Sequence, residues 1–200
     1  MNLVQVKSPV SISGGIEGLD DILWPGVDLT LWRRERPETL NWLDRQNWEP
    51  VSDVDSIVMT QDVHSQVARL LQAAHYPPGA RTAALAHEVA ELATYFATLM
   101  GCSSLRLRLE IVETDGCKKF HADYVRARLL STLSGRGTEW IYAALAGEDA
   151  HIEQMAAGDV GIFKGRLWEE EPAILHRSPP MGASGEQRLL LAIDPVGEAA

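Results

Sequence analysis

"LRLRLEIVE", residues 105–113, is the stretch on which the fold turns. Leu105, Leu107, Leu109 and Ile111 alternate with Arg106, Arg108, Glu110 and Val112. In an extended chain successive side chains point to opposite faces, so this pattern predicts a half-buried strand. Upstream the period is helical. In "DVHSQVARLLQAAHY" (62–76), Val63, Val67, Leu70, Leu71 and Ala74 share a face behind Asp62 as N-cap, and "PPG" at 77–79 ends the helix. A second helix runs to Met100 on the stripe Leu85, Val89, Leu92, Phe96 and Leu99, with Gly101 as its stop. Downstream, strands are predicted at 119–124, 126–133, 138–142, 159–163, 173–177 and 187–194. Turns such as "SGRG" (134–137) and "SPPMG" (178–182) separate several of them.

Helices followed by many short strands imply an α+β fold, with the helices packed on a closed or sandwiched antiparallel sheet. The expected organisation is one structural domain. A Trp-rich N-terminal segment spans 1–61, a helical pair 62–101 and the β region 102–196. Residues 1–60 hold Trp24, Trp32, Trp42 and Trp48 among frequent prolines and glycines, and read as irregular apart from a short helix at 37–46.

The 200 residues carry a net charge of −10, so a phosphate backbone would be repelled and a nucleic-acid partner is not expected. No apolar run has the length of a membrane span, and the N-terminus lacks a signal-peptide pattern. Two cysteines, Cys102 and Cys117, fit a reducing compartment. The expected location is therefore cytoplasmic, and the expected partner is a small-molecule or protein substrate.

"CKKFHADYVRARLL" (117–130) carries the chemistry. In a strand, positions i and i+2 share a face, so His121 and Asp123 point into one cavity. His176, in "ILHRSPP", offers a second imidazole, and two histidines with one carboxylate form the facial set of non-haem iron sites. Arg188 shares a strand face with Leu190 and Ala192 and would hold a ligand carboxylate; Arg126 or Arg128 is the alternative anion binder. Plainer readings stand beside these. His121 and Asp123 close a turn, His176 caps a strand, Arg188 is a surface strand arginine or makes an internal ion pair, and Cys117 is a small buried apolar residue. With Cys117 as a fourth ligand the site becomes a closed Zn²⁺ site. "HEVAE" (87–91) reads as an exposed helical pair.

The order HxD, distal His, then Arg resembles the double-stranded β-helix (jelly-roll, cupin-like) oxygenases that use Fe(II) and 2-oxoglutarate. That resemblance implies His121, Asp123 and His176 as iron ligands and Arg188 as the residue gripping 2-oxoglutarate. Over nearly the whole length, "WPGVDLTLWRR" (24–34), "CKKFHADYVRARLL", "GRGTEW" (135–140), "GIFKGRLW" (161–168) and "HRSPP" (176–180) are similar to an uncharacterised bacterial domain-of-unknown-function family. The latter resemblance implies a link to metal handling, and a non-catalytic zinc-binding accessory protein is the alternative function.

Overall fold

The computed structural model describes residues 8–114, 118–147, 151–180 and 186–197. In chain order the elements are β1 (Val10–Ser13), β2 (Leu29–Trp32), β3 (Val54–Met59), α1 (Val63–Ala73) and α2 (Ala80–Met100). Then follow β4 (Ser104–Val112), β5 (Ala127–Ser134), β6 (Glu139–Tyr142), β7 (Glu153–Gln154), β8 (Val160–Lys164), β9 (Ile174–Arg177) and β10 (Arg188–Val196). Both helices stand where their periodicity put them. Gly101 takes the left-handed conformation (φ 64°) that closes α2, which a side chain would disfavour. Asp62 occupies the N-cap of α1 without making a capping bond. Among the described residues no helix is long and apolar enough to cross a membrane.

Seven strands form one sheet in the order β1-β2-β8-β5-β10-β4-β3, and three form a second in the order β7-β6-β9. An isolated antiparallel bridge from His121 to His176 extends the second sheet past β9. From β4 onward the chain alternates between the sheets: β4, β5, β8 and β10 go to the larger, and His121, β6, β7 and β9 to the smaller.

Alternation in β4 and β10 separates two apolar layers. Leu105, Leu107, Leu109, Leu189, Leu191 and Ile193 join one buried cluster with Leu71 of α1 and Leu85, Val89 and Phe96 of α2. Burying each such side chain is worth about 1.5–3 kcal/mol. Leu190 and Ala192, on the opposite face of β10, join Leu130, Phe163, Trp140 and Ile174 between the sheets. Arg188 and Asp194 follow the same alternation and are buried.

Two expectations are corrected. Residues 8–60, the described part of the 1–60 segment, are not irregular: β1 and β2 extend the larger sheet beside β8, and β3 forms its other edge beside β4. Residues 37–46 form a 3-10 helix over Glu38–Arg45 that buries Leu40 and Leu43. The stretch 119–124 is likewise not a strand. His121 alone exchanges backbone bonds with His176 (N–O 3.0 and 2.9 Å), and the next residues turn to the loop after β8.

Candidate metal centre

The His121 bridge fixes the first side chain of the site. Its Nδ1 lies 3.0 Å from the Lys119 carbonyl, which can only accept, so Nδ1 carries the proton and Nε2 faces Asp123 at 3.6 Å from Oδ1. His176, on β9, brings Nε2 to 3.0 Å from Asp123 Oδ2. Asp123 itself is held by its backbone. Its carbonyl accepts Arg166 N–H at 2.9 Å, and Gly165 N–H and Leu167 N–H bind the Arg126 and Val125 carbonyls at 2.9 and 3.1 Å. The two imidazole rings are tilted against each other with centroids 4.8 Å apart, and Phe163 backs His176.

The three side chains offer ligand atoms that all lie within 4.8 Å of one another. Asp123 Oδ2 is buried yet accepts no hydrogen bond of acceptable geometry. A buried carboxylate oxygen without a donor is costly, and a cation between it and the imidazoles removes that cost. The donor set of two imidazoles and a carboxylate therefore fits a first-row divalent metal.

The charge states of His176 and Asp123 suit a metal, while that of His121 opposes one. Burial pushes the His176 imidazole below its ordinary pKa, against the pull of Asp123. Asp123 raises His121 above the usual imidazole value, against partial burial. Burial would raise Asp123, but His121, His176 and Arg128 together hold its carboxyl far below the usual carboxylate range. His176 is thus neutral, and Asp123 is ionised.

A cavity of about 230 Å³ opens on the site. Leu130, Leu190 and Ala192 form its apolar floor, and Arg108, Glu110, Thr138 and Ser178 complete its lining. Behind Thr138 sits Arg188, wholly buried and bound to the hydroxyls of Thr132 (3.1 Å) and Thr138 (3.2 Å). Arg128 also lines the cavity, and its guanidinium is engaged with carboxylates of the protein itself. Its Nη1 lies 2.5 Å from Asp123 Oδ1, and its Nε and Nη2 hold Asp194 at 2.6 and 2.8 Å. Arg126 is directed elsewhere, to the Met100 carbonyl and the Trp168 ring. Cys117 lies outside the described residues. His87 and Glu91 are exposed on α2.

The sequence reading missed Asp194 and the threonines. Asp194 was within reach, because it keeps the period-2 phase of Arg188 along β10 and so points inward. Thr132 belonged to no motif and Thr138 stood only as a member of "GRGTEW", and their placement beside Arg188 is what gives them a role.

Comparison with known proteins gives the chain a family and a fold. A family profile described as "Protein of unknown function (DUF1826)" matches residues 13–194, and the chain belongs to that family. No curated protein matches the chain by sequence. Among solved structures it is similar to the dioxygenase for auxin oxidation of rice, at 14% identity and a TM-score of 0.52, covering 95% of this chain and 83% of that one. It also aligns with the auxin-oxidation dioxygenase 1 of Arabidopsis thaliana in a 2-oxoglutarate complex (12% identity, TM-score 0.48, 96% and 93% covered). A prolyl-4-hydroxylase of Pseudomonas putida aligns at 14% identity and a TM-score of 0.46 (90% and 98% covered). The rice likeness shows the fold alone: a mixed α+β chain with strand-rich sheets.

Proposed function

We propose that this chain is an Fe(II)- and 2-oxoglutarate-dependent oxygenase, built as a double-stranded β-helix with its N-terminal helices packed on the larger sheet. The alternation of β4 to β10 between two sheets supports the architecture. One observation carries the function: His121, Asp123 and His176 converge at an apolar-floored cavity that has a wholly buried arginine behind its wall.

His121 Nε2, His176 Nε2 and an Asp123 oxygen would hold the metal. Arg188 would take the far carboxylate of the co-substrate, with the Thr132 and Thr138 hydroxyls orienting its guanidinium. Bound together, ferrous iron and 2-oxoglutarate would activate dioxygen, one oxygen atom going into succinate as 2-oxoglutarate loses CO2 and the other into a C–H bond of the substrate. The protein's own share is ligation, orientation and exclusion of water. Leu130, Leu190 and Ala192 keep the cavity floor dry, and the Lys119 carbonyl fixes the His121 tautomer. Three ligating side chains leave coordination positions open, whereas a closed zinc site would need a fourth. Among the described residues the site gathers three.

The test is succinate release from 2-oxoglutarate in air, with Fe(II) supplied. Wild-type protein should form succinate slowly without any further substrate, and His176→Ala should form none. Zn²⁺ binding with no succinate from the iron-loaded protein would turn the reading to metal handling.

A further inference from the structure

We propose that Arg128, braced by Asp194, is a positioning residue that keeps Asp123 a one-oxygen ligand. This inference rests on the metal-centre reading above. Asp123 has two oxygens in unlike surroundings. Oδ1 is engaged by Arg128 Nη1 at 2.5 Å, while Oδ2 is buried without a hydrogen-bond donor, 3.0 Å from His176 Nε2. Arg128 cannot readily turn away. Its Nε and Nη2 grip both oxygens of Asp194 at 2.6 and 2.8 Å, and a planar fork bound on two sides has little freedom. Asp194 is fixed in turn by Arg108 Nη2 at 3.2 Å, and Arg108 Nη1 holds Glu110 at 3.0 Å.

This chain of alternating charges runs from the ligand carboxylate along the inner face of the larger sheet. A carboxylate with both oxygens free can chelate a cation and occupy two coordination positions. With Oδ1 tied to the guanidinium, Asp123 occupies one, and the position saved stays open for small ligands. Arg128 thus adjusts the number of open positions without touching the metal.

The experiment counts inner-sphere waters on bound Mn(II) by water-proton relaxation. Wild type is compared with Arg128→Lys and with the double variant Arg128→Met/Asp194→Asn, which removes the charge pair together and leaves Arg108 with Glu110. Folding of each is checked by circular dichroism. The double variant is expected to show one water fewer than wild type, and Arg128→Lys, which keeps a donor for Oδ1, to match wild type. An unchanged count in the folded, Mn(II)-bound double variant overturns the clamp. If the double variant does not fold, Asp194→Asn alone is read instead. A count below wild type supports the clamp, and one equal to wild type overturns the bracing by Asp194. Wild type that binds no Mn(II) overturns the metal centre itself, and this inference with it.

Discussion

Gly165→Ala couples the packing of the fold to the site. Gly165 follows β8, and a Cβ built there would lie 2.1 Å from the Val125 carbonyl oxygen and 2.9 Å from that of Asp123. Both atoms are backbone, so neither can swing aside as a side chain would. An ordinary contact needs about 3.5 Å, which means that the 123–125 segment and the turn must separate by about 1.4 Å. The backbone bonds from Gly165, Arg166 and Leu167 to Arg126, Asp123 and Val125 would stretch with it. Overpacking of this kind costs about 1–3 kcal/mol. In a chain of this size that lowers Tm by about 2–12 °C. Metal sites tolerate displacements of only about 0.2 Å, so moving Asp123 should weaken Mn(II) binding by at least about 10–100-fold. Differential scanning calorimetry reads the first effect, and isothermal titration well below the melting transition reads the second. An unchanged Tm would refute the steric argument. A lowered Tm with wild-type Mn(II) affinity would show that the turn does not position Asp123.

Other outcomes separate the layers of the molecule. Leu191→Ala removes a fully buried side chain from the cluster beneath the helices and should cost about 2–5 kcal/mol by denaturant titration. Its Mn(II) affinity should stay at the wild-type level, because the other face of β10 meets the site. Arg188→Met keeps the bulk and removes the charge. It should weaken 2-oxoglutarate binding to the metal-loaded protein by about 30-fold or more, the loss of a buried charge pair of about 2 kcal/mol upward, with metal affinity unchanged. Metal affinity should also fall as pH is lowered. His121 must lose its proton to bind, and Asp123 holds its pKa above the ordinary imidazole value near 6.5. The decline therefore starts at a higher pH than for a free imidazole and approaches about 10-fold per pH unit below it. Asp123, held well below the carboxylate range, stays ionised and adds nothing there. Titrations between pH 5 and 8 that give one constant affinity would contradict this.

Long periodic segments were legible, and short ones were not. Nine residues of alternation in β4 and the stripes of α1 and α2 each carry enough repeats to fix type and phase. β1 and β2 have four residues each and lie among glycines and prolines, and their partners are β8 and each other, so nothing local marks them. The order of His121, Asp123, His176 and Arg188 could be read because it is linear. The reason given for His121 and Asp123 sharing a face was wrong, since the segment is a single bridge and a turn. Their convergence comes instead from the His176 pairing and from the loop after β8. The pairing of Arg128 with Asp194 was not legible for a similar reason: the two lie 66 residues apart, and sequence spacing does not show which carboxylate a buried guanidinium will meet.

The measurement closest to the central claim is the visible absorption of the protein under anaerobic conditions as Fe(II) and then 2-oxoglutarate are added. Chelation of 2-oxoglutarate to a protein-held ferrous ion gives a charge-transfer band. That band is expected in wild type, is lost in His121→Ala and Asp123→Ala, and appears only at much higher 2-oxoglutarate in Arg188→Met. Wild-type protein that binds iron and shows no band at saturating 2-oxoglutarate would contradict the central claim.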